Sequence, residues 1–220
     1  MLELKNIAKE YKQEHGIIHA LADINLTIEK GTFTTITGSS GSGKTTLLLL
    51  LGGLIKPTRG TIKFSGNELY SLSPKKIAEY RNKKVGFVLQ TFHLIPYLTA
   101  LENVEVPMML GKTDKTKQKQ IAEGILAKLG LSDRINHLPR ELSVGQQQRV
   151  AIARALANNP EIILADEPTG NLDPTLSTEI LTILKQLNDD EGRTVIMVTH
   201  NPEASKFGTH NLKIENGRIV

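Results

Sequence analysis

Apolar and polar side chains alternate through the first 36 residues of the chain, as in Ile17-Ile18-His19-Ala20-Leu21 and Ile24-Asn25-Leu26-Thr27-Ile28. A period of two gathers the apolar set on one face, so this stretch predicts half-buried antiparallel strands. Thr32–Thr37, dense in β-branched residues, predicts a strand that runs into a glycine-rich loop. A helix from Lys44 to about Leu51 follows and is ended by Gly52 and Gly53. Val85–Leu89 reads as another short strand. The spacing then becomes helical. Thr99 and Glu102 form a capping box. Ile121, Ile125, Leu126 and Leu129 recur at helical intervals, with Gly130 where a C-terminal cap belongs. Ser143 and Gln146 form a second capping box that opens a helix to about Asn158.

Beyond Pro160 the strand–helix–strand rhythm returns. Ile162–Ala165 is wholly apolar and suits the centre of a parallel sheet. Asp173 and Pro174 open a helix with proline in its first turn, and Thr194–Val198 is the next buried strand. The pattern predicts an α/β fold built as one domain over residues 1–220. Residues 1–90 and 160–220 would form an α/β core with an antiparallel β part, strands with their flanking helices lying on both sides of a helical block inserted at residues 91–159.

Composition narrows the classes. With 220 residues, 39% apolar and 23% charged, the chain can bury a sizeable core. It has no cysteine, which excludes disulfides and thiolate chemistry. No basic stretch followed by an apolar one opens the chain at Met1–Lys5, so no secretory signal is expected. The longest apolar run, Leu47–Ile55, has nine residues, whereas a membrane span needs about 20. A net charge of +4, four Tyr, five Phe and no Trp leave little for nucleic-acid binding, and no such partner is expected. The lysine-rich stretches Lys75–Lys84 and Lys112–Lys119 read as solvated helix faces.

Chemistry enters at Gly38-Ser39-Ser40-Gly41-Ser42-Gly43-Lys44-Thr45, which matches G-x-x-x-x-G-K-[ST] between a predicted strand and a predicted helix. The glycines let the backbone wrap a phosphate, and the helix N-terminus adds its positive end. Lys44 would reach the β- and γ-phosphates and the Thr45 hydroxyl would ligate Mg²⁺; Thr46 completes the expected nucleotide-binding set. Asp166 and Glu167 leave the end of an apolar strand. Two adjacent carboxylates there are costly unless they meet a cation. Asp166 would hold the metal through water, and Glu167 would polarise the water that attacks the γ-phosphate. Leu142-Ser143-Val144-Gly145-Gln146-Gln147-Gln148-Arg149 opens a helix whose first N–H groups suit an anion.

These segments, in this order, resemble the ABC ATPase family over essentially the whole chain. Leu142–Gln146 is similar to that family's signature, usually LSGGQ, with Val144 in place of a glycine; Ser143 and Gly145 are retained. The resemblance implies a P-loop NTPase (RecA-like) core, with ATP and Mg²⁺ as cofactors and ATP hydrolysis as the activity. It assigns adenine stacking to Tyr11. Gln90 becomes the glutamine that senses Mg²⁺ and contacts the membrane partner. Asn171-Leu172-Asp173 becomes the loop that communicates across a dimer, and His200 the switch histidine at the γ-phosphate. His15, His19, His93, His137 and His210 match no motif and read as structural or surface residues.

The resemblance further implies a head-to-tail dimer, in which the signature residues Leu142, Ser143, Val144, Gly145 and Gln146 act on ATP bound by the other chain. It implies an integral membrane permease as partner, at the cytoplasmic face of the cell membrane. Gln90–Pro107 and Ala165–Asp173 are similar to the macrolide-exporter and lipoprotein-releasing branch. The cell-division ATPase is a close relative of that branch. An exporter or extractor subunit and a non-transport mechanical transmitter therefore both stay open.

Overall fold

The structure is a computed structural model and describes residues 1–14 and 16–220; His15 lies outside the described residues. The alternation at the start makes a long hairpin, β1 (Leu2–Gln13) and β2 (Gly16–Ile28), paired antiparallel from Leu2 opposite Ile28 to Gln13 opposite Gly16. The third strand, β3 (Phe33–Thr37), leads into α1 (Lys44–Leu51). Then come β4 (Arg59–Phe64), β5 (Asn67–Glu68), α2 (Pro74–Lys84) and β6 (Val85–Leu89). The helical block holds α3 (Ala100–Leu110), α4 (Lys115–Lys128) and α5 (Val144–Leu156). The chain closes with β7 (Ile162–Asp166), α6 (Pro174–Asp189), β8 (Thr194–Thr199), α7 (Pro202–Ser205), β9 (His210–Glu215) and β10 (Arg218–Ile219).

Two sheets result. One has the order β2-β1-β4-β5 and is antiparallel. The other has the order β10-β9-β3-β8-β7-β6; it is parallel from β9 to β6, with β10 antiparallel at its edge. β3 thus belongs to the parallel sheet and not to the antiparallel part, although it follows the hairpin directly. The turns between helices and strands were legible, but β4, β5, β9 and β10 carried no apolar run. β5 and β10 are two-residue edge strands, and β4 and β9 carry mostly exposed or half-buried side chains, with one face in water.

Pleating divides the parallel sheet between two cores. Ile162 and Leu164 of β7, Ile196 and Val198 of β8 and Ile36 of β3 face one cluster, with α1 and the antiparallel sheet. Ile163 and Ala165, Val195 and Met197, and Phe33 face the other, with α5, α6 and the helical block. One face of the parallel sheet is thus covered by α1 and the antiparallel sheet, the other by α5, α6 and the helical block. In α1, Leu47, Leu48, Leu50 and Leu51 are all buried; a helix apolar nearly all round has to be enclosed. The helical block has no core of its own. Val104, Leu126 and Val150 pack in the same cluster as Ile163 and Met197, so the block moves only as far as that shared core allows.

The strand-to-helix boundaries follow local chemistry. Thr99 and Glu102 make the capping box of α3, and Ser143 and Gln146 that of α5. Asp173 caps α6 by accepting from Thr175 N–H at 2.9 Å and Leu176 N–H at 3.1 Å. α5 ends at Leu156, two residues before the sequence expectation. Leu164 is fully buried in β7, between β8 and β6. Leu164→Ala is therefore expected to cost about 2–5 kcal/mol, read as a lower urea midpoint at unchanged slope.

Candidate nucleotide site

The register of the parallel sheet brings the chemistry together. Thr37 pairs with Thr199, Asp166 with Val198, and Leu89 with Asp166. The residues that follow, Gly38, Glu167, Gln90 and His200, therefore leave the sheet at one carboxyl edge, the place where open α/β sheets bind ligands. A cavity of about 620 Å³ opens there, lined by Ser40, Gly41, Gly43, Lys44, Thr45, Thr46, Gln90, Asp166, Glu167 and His200 together with Ile18, His19 and Ala20. Gly38 and Ser39 line an adjoining recess of about 570 Å³ that also includes His200.

The glycines of the loop are required by space as well as by conformation. A Cβ on Gly38 would lie 2.3 Å from the Ile214 carbonyl oxygen. Gly43, at φ +106°, would place one 2.4 Å from the Ala20 carbonyl oxygen. Gly43 caps α1 without a side-chain acceptor, so the first N–H groups of the helix are left for an anion. Lys44 is buried, with Nζ donating at 2.9 Å to each of the Gly38 and Ser39 carbonyls. It braces the loop from inside with its charge directed at the phosphate position. Ser42 is buried beneath the loop rather than in the cavity.

Thr45 Oγ1 donates to Asp166 Oδ1 at 3.2 Å. Burial raises the Asp166 pKa and the neighbouring Glu167 charge adds to this, while the Thr45 hydrogen bond and Lys44 pull it down. Two hard oxygen donors side by side, one desolvated, suit Mg²⁺, which takes one or two protein ligands and completes its shell from phosphate and water. Among the described residues no group of three or more His, Cys, Asp or Glu could hold a metal, and a cation held this way needs none.

Glu167 sits at φ +48°, a left-handed conformation uncommon for a residue with a side chain. Its N–H donates to Val198 O at 3.0 Å, its Oε1 lies 2.9 Å from His200 Nδ1, and its Oε2 accepts from His200 N–H at 3.3 Å. Gln90 is tied to Asn171: Asn171 Nδ2 donates to the Gln90 carbonyl at 3.2 Å, and the two side-chain amides meet at 3.5 Å. Gly170 makes room for that contact, since a Cβ there would lie 2.7 Å from Gln90 Nε2. Leu172 packs on the core and Asp173 is occupied as a helix cap.

Not every expected residue reaches the cavity. Leu142–Gln146 do not line it; Ser143 is exposed, and Gly145 is buried against Leu176 of α6. Val144 is 45% exposed at the first turn of α5, so its side chain costs nothing within its own chain. Tyr11 stands on β1 opposite Ile18, outside the cavity wall, with Lys9 Nζ 5.0 Å from its ring centroid. His19 was read as unrelated to the site; it lines the cavity and its Nδ1 lies 3.3 Å from Glu10 Oε1. It arrives there because β2 crosses over the phosphate loop, and no local pattern around His19 records that crossing. Arg154 was also missed. From the end of α5 it donates to the Phe92 carbonyl at 2.7 Å and the His93 carbonyl at 2.6 Å, holding the segment after Gln90, and burial lowers its pKa. A larger groove, about 1250 Å³, runs between α4 and α6 along Ile125, Leu129 and Ile183. Neither the phosphate-loop residues nor Asp166 and Glu167 line it, so size does not identify the site.

Fold and site together define a P-loop nucleoside-triphosphatase cassette. The chain matches the ABC transporter family over residues 21–170. It belongs to that family, and within it is the ATP-hydrolysing cassette. It is 51% identical to an uncharacterised ABC transporter ATP-binding protein of Methanocaldococcus jannaschii, over all of this chain and 98% of that one. It is 44% identical to the macrolide export ATP-binding/permease protein MacB of Salmonella typhimurium, over all of this chain but 34% of that protein. Among solved structures, the M. jannaschii cassette MJ0796 superposes at a TM-score of 0.92 with 45% identity, covering all of this chain and 96% of that one. It was solved as a dimer, and also as a dimer in a post-hydrolysis state bound to ADP and Pi, at a TM-score of 0.91.

The raised Asp166 pKa has a sign. The native state binds a proton more readily than the unfolded chain, so the stability tied to Asp166 is present at low pH. It is lost as pH rises from the ordinary carboxylate range through the raised native value. Asp166→Asn is expected to remove that slope and raise the melting temperature of nucleotide-free protein at neutral pH, while abolishing Mg²⁺-dependent ATP hydrolysis. Calorimetry and a phosphate-release assay check the two halves.

Proposed function

We propose that two copies of this chain close head to tail around two ATP and drive an integral membrane permease of the exporter or extractor type. The observation that carries the reading is the incomplete site. The loop, both carboxylates, Gln90 and His200 share one cleft, while Leu142–Gln146 lie outside it in the same chain, with Ser143 and Val144 exposed. A two-fold arrangement supplies to each cleft the signature helix of the other copy. The dimers of MJ0796 support it, and MacB supports an exporter.

Within each cleft the backbone of Gly38–Thr45 and Lys44 would hold the phosphates, and Tyr11 the adenine. Thr45, Asp166 and Gln90 would hold Mg²⁺, which neutralises charge on the phosphate oxygens. Glu167 takes a proton from a water whose oxygen attacks the γ-phosphorus. The bond from that phosphorus to the β–γ bridging oxygen breaks, and ADP and phosphate remain. His200 holds Glu167 before nucleotide arrives, through the 2.9 Å contact, and would turn to the γ-phosphate once it is bound. Asn171–Asp173 would carry the state of one cleft to the other. Removal of the γ-phosphate removes the group that joins the halves.

Among the described residues no helix is long and apolar enough to cross a membrane; the proposed permease would meet this cassette at the cytoplasmic face. Tyr97, Met109 and Leu110 are exposed on the helical block, in the segment leading from Gln90, and give a permease an apolar surface to dock on. A non-transport transmitter would use the same cycle; co-purification of the membrane partner separates the two readings.

Glu167→Gln is expected to bind ATP normally, lose about 10²-fold or more in kcat, and accumulate as an ATP-bound dimer by light scattering. Turnover at the wild-type rate would reject Glu167 as the base. Ser143→Ala is expected to lower hydrolysis while ATP binding to the monomer stays within about twofold; a large loss of monomer affinity would put Ser143 in its own chain's site.

A further inference from the structure

The turn that carries Glu167 is strained. Glu167 lies at φ +48° and is followed by Pro168, although a residue before proline is pushed toward extended backbone by the proline ring. Such a conformation persists only where its surroundings over-determine it. On the strand side it is held by Glu167 N–H to Val198 O and by Gly170 N–H to Glu167 O, each at 3.0 Å. From α5 a buried side chain reaches the same turn. Gln148, in the middle of α5 and fully buried, donates from Nε2 to the Pro168 carbonyl at 2.6 Å.

Two details make this contact more than packing. Pro168 has no N–H, so its carbonyl is the only backbone polar group it offers, and a carbonyl can only accept. The amide nitrogen of Gln148 is therefore the atom that faces it. The other half of the amide, Oε1, is buried with no hydrogen-bond partner among the described residues. Burying an unpaired acceptor is unfavourable. An apolar side chain of the same length would fill the space without one, so space-filling does not account for a glutamine here.

We infer that Gln148 is a positioning residue for hydrolysis: through Pro168 it fixes the turn that aims Glu167 at the γ-phosphate. The inference rests on reading Glu167 as the general base. It also gives α5 a mechanical role. The first turn of this helix, at Ser143, is the part offered to the other chain's ATP, and Gln148 stands five residues further along, about 7.5 Å by helical rise. Engagement of the signature in one cleft is then felt at the base of the other.

The test uses the full chain as wild type, Gln148→Met and Glu167→Gln, measuring steady-state hydrolysis, equilibrium ATP binding and amide exchange. Methionine keeps the length and removes both the donor and the stranded acceptor. The expected result is a kcat about tenfold lower or worse, the scale on which a small misplacement of a reacting group acts. ATP affinity should stay within about twofold, and the Gly170 amide, which bonds the Glu167 carbonyl, should exchange faster. A kcat within about twofold of wild type beside an inactive Glu167→Gln overturns the inference, as does a lowered melting temperature with kcat intact, which marks a purely structural contact. Wild-type turnover in Glu167→Gln removes the base assignment and this inference with it. Should Gln148→Met give no soluble protein, Gln148→Leu is read by the same criteria.

Discussion

Everything chemical in this protein depends on strands of one parallel sheet ending at one level. Backbone pairing aligns Thr37, Asp166 and Thr199 to within a residue of one another, and the loops that follow have nowhere to go but over the same edge. The alignment is enforced from both faces. Shifting β7 by one residue would exchange Ile162 and Leu164 for Ile163 and Ala165 between two cores of different shape. The hydrophobic register that stabilises the fold is therefore the same constraint that sets the distance between the phosphate loop and the carboxylates.

The site works against the stability that positions it. Asp166 is ionisable and desolvated, Glu167 occupies a backbone region that L residues avoid, and Lys44 is buried with only carbonyls as hydrogen-bond acceptors. Each is unfavourable in the nucleotide-free chain, and a polyanion with its cation would offset the charge terms at Lys44 and Asp166. Binding energy is thus stored as a site already shaped for charge, which costs little reorganisation when the substrate arrives. The carboxylate pair is held by the sheet, the hydroxyl of Thr45 by the first turn of α1, and His200 by a loop that is largely open to solvent.

The helical block is joined to this rigid edge by a small number of directed contacts. Gln148 reaches the turn after Glu167, Arg154 reaches the segment after Gln90, and Asn171 reaches Gln90 itself. The first two belong to α5, whose N-cap Ser143 and first residue Val144 are exposed. A helix that touches the segments after Glu167 and Gln90 and is exposed at its tip would, in the proposed dimer, be suited to carry position from one cleft to another. The shared core beneath it limits the motion to small rotations rather than separation.

Local chemistry was written in the chain. The phosphate loop, the acidic pair, the capping boxes at Thr99 and Ser143, the capped start of α6 at Asp173 and the all-apolar strands β7 and β8 each depend on residues within a few positions of one another. Short-range sterics and hydrogen bonding are enough to specify them. The tertiary structure alone decided what meets what. It put β3 into the parallel sheet, brought β2 and His19 over the phosphate loop, kept the signature out of its own cleft, and set Gln148 and Arg154 against turns that lie distant in sequence. Those outcomes follow from the order in which strands pair and from which faces are buried. Such long-range choices are made by the whole core at once and leave no mark on the residues beside them.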